Sequence, residues 1–116
     1  KIVICVDDIL DTGGTACKAS ILLKNHGAKD IYFFACHGLF SNNSLKKMEE
    51  ESKFTKIIVT NTVIHEEDIY KSKLVDIIDV SYLCAEAISC QIKGLSLSKL
   101  YDDDYFNNKI EKIQLL

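Results

Sequence analysis

Not one of the 116 residues is an arginine. Arginine is the usual bidentate clamp on phosphate and carboxylate, so this chain cannot supply one. Clusters of basic residues are also missing and the net charge is −3, which argues against a nucleic-acid surface. No apolar run approaches the roughly 18 residues of a membrane span, and no signal peptide is visible. The cysteines Cys5, Cys17, Cys36, Cys84 and Cys90 are odd in number and lack CxxC spacing. They read as core thiols in a reducing cytoplasm rather than a metal or redox site. His26, His37 and His65 lie far apart without a metal-ligand pattern and read as structural or surface residues. An initiating methionine is absent too, and Lys1 opens almost directly into an apolar strand pattern, so the expectation is a fragment of a longer protein.

What is present suits one soluble domain with a real core: 47% of residues are apolar and 27% charged. The informative stretch is Val6-Asp7-Asp8-Ile9-Leu10-Asp11-Thr12-Gly13-Gly14-Thr15. Before it, KIVICV is a short β-branched run of the kind found in strands buried on both faces. After it, Ala16, Ala19, Leu22 and Leu23 recur at helical spacing, and Gly27 suits the position just past a helix end. The acidic and glycine-rich loop therefore joins a strand's carboxyl end to a helix's amino end, where open α/β sheets bind ligands.

Gly13 and Gly14 let the backbone approach an oxyanion, and Thr12 and Thr15 add hydroxyl donors. Asp7, Asp8 and Asp11 would repel a phosphate set directly on them. They are instead expected to accept from sugar hydroxyls or to hold Mg²⁺ between themselves and an anionic substrate. The structural alternative is an acidic turn that caps a helix, with Asp11 or Thr12 at the N-cap.

Farther along, strands are expected over residues 31–36, 56–60 and 74–80, and helices through Leu45 and Met48 and over 81–92. That gives βαβαβ followed by βα, a doubly wound, mostly parallel α/β sheet with flanking helices. The connections over 38–44 and 61–73 are long and follow strand ends. Glu49-Glu50-Glu51 reads as a solvated helix end, and Asp102-Asp103-Asp104 opens a tail over 102–116 in which Ile110, Ile113 and Leu116 recur every third residue.

The run DD-x-x-DTGGT resembles the ribose-phosphate loop of the type I phosphoribosyltransferase fold, and in this form it is most similar to the ribose-phosphate pyrophosphokinase family. Further stretches match that family in the same order. They are Gly27-Ala28-Lys29, His37-Gly38-Leu39-Phe40-Ser41, Val59-Thr60-Asn61-Thr62, Asp79-Val80-Ser81 with Ala85-Glu86-Ala87-Ile88, and Ser96-Leu97-Ser98-Lys99-Leu100-Tyr101. The likeness covers residues 2–101, taken as one C-terminal domain segment over 1–101. Cys36, Asn42, Asn43 and Leu95 depart from the family pattern.

The resemblance implies an incomplete domain of an enzyme that transfers pyrophosphate from ATP to ribose 5-phosphate for nucleotide biosynthesis. Asp7 and Asp11 to Thr15 (Thr12, Gly13, Gly14) would bind ribose 5-phosphate, and Asp7 and Asp8 would hold Mg²⁺. Ser96 and Ser98 would contribute to a regulatory phosphate site. Catalytic lysine and arginine would precede Lys1, so the piece alone is expected to be inactive. A cytoplasmic, dimer-based homo-oligomer such as a hexamer is expected, with no nucleic-acid or membrane partner. The alternatives are a phosphoribosyltransferase and a non-catalytic, synthetase-associated regulatory subunit.

Overall fold

A computed structural model describes residues 1–102, so Ile110, Ile113, Leu116 and all of the tail after Asp102 lie outside the described residues. The chain divides into two compact units, Lys1–Asp79 and Val80–Leu116. In the first, β1 (Ile2–Leu10), α1 (Gly14–Asn25), β2 (Asp30–Gly38), α2 (Ser44–Glu51), β3 (Lys56–Thr60), α3 (Glu67–Lys71) and β4 (Val75–Ile78) follow in order. The second holds α4 (Ser81–Ile92) and a 3-10 turn over Leu97–Tyr101.

The four strands are all parallel and lie in the order β1-β2-β3-β4. This is the parallel α/β class that the alternation of strand and helix patterns predicts. A monotonic order has a further consequence. Right-handed crossovers that always step the same way place every connecting helix on one face of the sheet. Cys17 of α1, Leu45 and Met48 of α2 and Ile69 of α3 accordingly pack in one core with Ile31, Phe33, Ala35, Ile57, Val59 and Val75. Ile31, Ile57, Val59 and Met48 are fully buried, each stabilising by about 1.5–3 kcal/mol.

The other face of these strands is apolar at β1 and open. Register pairs Ile4 with Tyr32 and Val6 with Phe34, and Ile2, Ile4 and Val6 are 66%, 62% and 77% exposed. The expectation of a first strand buried on both faces is therefore corrected, because β1 is an edge strand with helices packed on one side only. β1 also runs on through Asp7 and Asp8 to Leu10, so those two acids belong to the strand, not to the loop. The expected long loop over 61–73 contains the five-residue α3, whose Ile69 anchors it to the core.

Two of the expected core thiols are also corrected. Cys17 and Cys90 are buried and Cys5 is half-buried, but Cys36 and Cys84 are exposed; all five are unpaired. Burial raises the Cys17 thiol pKa above its ordinary value, with Glu51 adding to the rise and Lys47 opposing it.

Candidate functional site

The turn from β1 to α1 is only three residues long, Asp11, Thr12 and Gly13. Gly13 is the N-cap with φ 68°, a left-handed conformation that glycine adopts without penalty. A second constraint adds to it: a Cβ on Gly13 would meet Met48 Sδ and Cε at 2.7 Å and force that buried side chain to shift. Gly14, by contrast, has nothing within 4 Å of its Cβ direction, so space opens at the first helical residue.

Neither Asp11 nor Thr12 caps α1, and among the described residues no side-chain bond to its first N–H groups is seen. Cys17 N–H makes the first intrahelical bond, to Gly13 O at 2.8 Å. The N–H groups of Gly14, Thr15 and Ala16 thus face outward at the positive end of a twelve-residue helix. That arrangement attracts an anion. A cavity of about 330 Å³ adjoins it, bounded by Asp7, Asp11 and the 12–15 turn and, behind them, by Ala19, Phe33 and Phe54. Its size is at the lower end for small-molecule sites.

The three carboxylates have different surroundings. Asp11 is a brace: its Oδ1 accepts from Ser41 N–H at 3.1 Å, and its carbonyl accepts from Ser44 Oγ at 2.8 Å. Asp7 shares the cavity with the turn, and its Oδ1 accepts from Asp8 N–H at 2.9 Å. Of the two adjacent acids, Asp7 lines the cavity and Asp8 does not. Among the described residues no group of three or more His, Cys, Asp or Glu side chains could hold a metal unaided. A Mg²⁺ here would need only one such carboxylate, with substrate oxygens and waters completing its shell.

A second polar cluster, built from stretches that the resemblance picked out without a role in the site, closes the ends of β2 and β3. His37 Nδ1 lies 2.7 Å from Thr62 Oγ1, Thr60 Oγ1 donates to Cys36 O at 2.6 Å, and Asn61 Nδ2 donates to Asp79 Oδ1 at 2.8 Å. The signal was available. Both HGLFS and VTNT straddle strand ends, and strand ends of a parallel sheet share one rim.

A larger cavity of about 960 Å³, between the loop at Phe40 and Asn43 and the loop at His65 and Asp68, shares no lining residue with the glycine turn. Ser96 and Ser98 bond to each other, Oγ to Oγ at 2.7 Å, and Ser96 Oγ accepts from Ser98 N–H at 3.1 Å, so they cap the 3-10 turn.

Residues 1–102 match the phosphoribosyl synthetase-associated domain. The chain belongs to that family. Curated relatives include ribose-phosphate pyrophosphokinase 1 of Candida albicans, 39% identical over 87% of this chain and 31% of the relative. Ribose-phosphate pyrophosphokinase A of Dictyostelium discoideum is 34% identical over 89% of this chain and 32% of the relative. A crystal structure of phosphoribosylpyrophosphate synthetase from Mycobacterium smegmatis superposes with a TM-score of 0.75 at 33% identity, covering 81% of this chain and 31% of that one. The chain thus spans about a third of the length of these relatives. No helix among the described residues is long and apolar enough to cross a membrane.

Proposed function

We propose that this chain provides the ribose 5-phosphate loop of a ribose-phosphate diphosphokinase, which moves the pyrophosphoryl group of ATP to the anomeric hydroxyl of the sugar. The observation that carries this reading is the uncapped start of α1, where three backbone donors face the open space at Gly14. The 5-phosphate sits there, with the Thr12 and Thr15 hydroxyls as further donors. Asp7, one step back on the strand, accepts from the sugar hydroxyls. Bound Mg²⁺ would neutralise charge between substrate oxygens and Asp7.

In the reaction the anomeric hydroxyl oxygen attacks the β-phosphorus of ATP and its proton is lost to solvent, the bond from that phosphorus to the oxygen bridging to the α-phosphorus breaks, and AMP leaves with that oxygen. Such transfer depends on positioning and on fixed cations. This chain contributes positioning. Lacking arginine, it leaves the clamp on the triphosphate to another part of the protein. The five unpaired cysteines support a reducing, cytoplasmic setting, and the open apolar face of β1 supports a larger assembly.

The same lack of arginine favours a second reading, a non-catalytic subunit that binds the sugar phosphate within a synthetase assembly. Calorimetric titration of the intact protein with ribose 5-phosphate, beside Gly14→Val, tests the site. Wild-type binding that falls more than tenfold in the variant is expected; equal binding by both would overturn the reading. AMP release with ATP, Mg²⁺ and ribose 5-phosphate then separates the two readings.

A further inference from the structure

An anion at the rim of this sheet needs more donors than one helix start offers. Asp7, Asp8 and Asp11 can only accept when ionised. Along the turns that follow the strands, residues 11–13, 39–43, 61–66 and 79–80, there is no lysine or arginine. Histidine supplies the remaining ring N–H groups there.

His65 is occupied by packing. Its ring sits edge-on to Phe40 and to Tyr70, each at 6.0 Å, with Nε2 3.4 Å from Thr60 O. His37 is placed differently. It is half-buried on β2, paired in register with Ile9 of β1, one residue before the two strands end at Leu10 and Gly38. Leu39 N–H then donates to Leu10 O at 2.7 Å, so the exit of β2 runs beside the entrance to the glycine turn.

Two threonine hydroxyls surround His37 Nδ1 and the neighbouring carbonyl. Thr60 Oγ1 donates to Cys36 O at 2.6 Å, which commits its proton. Thr62 Oγ1 lies 2.7 Å from His37 Nδ1 and 3.1 Å from Cys36 O, so it either donates to the ring nitrogen or accepts from it while donating to that carbonyl. An anion at Nε2 selects the first arrangement, with the ring proton on Nε2. Among the described residues Nε2 has no partner, and the contact at Nδ1 holds the ring.

We propose that His37 is a substrate-contacting residue of this site, its Nε2–H donating to an oxygen of the bound sugar phosphate. The inference rests on the proposed ribose 5-phosphate site and adds to it a donor from β2. The ring is held by Thr62, which makes Thr62 a positioning residue.

Two isosteres separate contact from structure. His37→Asn keeps an acceptor where Nδ1 was, and so keeps the Thr62 bond, but removes the outer donor. His37→Gln places an amide N–H near the position of Nε2 and gives up the Thr62 bond. Titration of the intact protein with ribose 5-phosphate should show affinity about tenfold or more weaker in His37→Asn, the loss of a hydrogen bond to a charged group. In His37→Gln a substantial part should return. In the wild type, the His37 Nε2 resonance should move on titration while those of His26 and His65 stay. Retained affinity in His37→Asn with loss in His37→Gln would show a purely structural role and overturn the inference, leaving the proposed function standing. No binding of ribose 5-phosphate by the wild type would overturn both.

Discussion

Met48 lies directly against Gly13: its Sδ would be 2.7 Å from a Cβ placed there. The floor of the turn is thus a fully buried side chain of α2. Gly13→Ala combines that overlap with a left-handed φ and should destabilise the protein by about 3 kcal/mol. Gly14→Ala meets open space and should leave stability within about 0.5 kcal/mol while weakening ribose 5-phosphate binding. Urea unfolding and ligand titration of both variants provide the check.

Asp11 holds the following loop through Ser41 N–H and Ser44 Oγ. Asp11→Ala should cost about 0.5–1.5 kcal/mol, the net worth of an exposed hydrogen bond whose Ser41 N–H turns to water. Asp11→Asn keeps an oxygen acceptor and should recover most of this. Denaturation midpoints of the pair would show whether the carboxylate braces the loop; equal losses would point to charge.

Asp7 and Asp8 are adjacent in sequence, but only Asp7 lines the cavity beside the glycine turn. Asp7→Asn should shift the Mg²⁺ dependence of ribose 5-phosphate binding several-fold, and Asp8→Asn much less. Titrations at graded Mg²⁺ would decide, and equal shifts would show that both carboxylates reach the ion.

The open face of β1 carries Ile4 and Val6 at an unpaired edge. Such edges invite association. The chain on its own should self-associate, and an Ile4→Lys, Val6→Glu double variant should shift it toward monomer with little change in stability. Sedimentation velocity across a concentration series would show it.

The Cys17 thiol has a folded pKa raised above its ordinary 9.0, so the native state holds that proton more tightly than the unfolded chain. Its contribution is fully present below pH 9.0 and is lost as pH rises through the folded value. Unfolding followed from pH 8 upward should show stability falling, with a flatter slope in Cys17→Ala. Thiol labelling at neutral pH should reach Cys36 and Cys84 well before Cys17.

Local pattern was enough for much of this protein. β3 and α4 span the residues their periodicity predicts, and the strand, glycine turn and helix that build the site are contiguous, so short-range sterics and hydrogen bonding define them. The carboxylates could be named from sequence because their chemistry is written in their type. Their roles could not. Asp11 is bonded to a loop that reaches it only once β2 lies beside β1, and Gly13 rather than Gly14 is sterically required because Met48 arrives from α2. His37 likewise gains its fixed ring from Thr62 on the next strand's exit. The burial of β1 shows the same division. KIVICV carries enough apolar side chains for two covered faces, but coverage depends on strand order. With four parallel strands stepping one way, right-handed crossovers put α1, α2 and α3 on a single face, and Ile2, Ile4 and Val6 are left on the other.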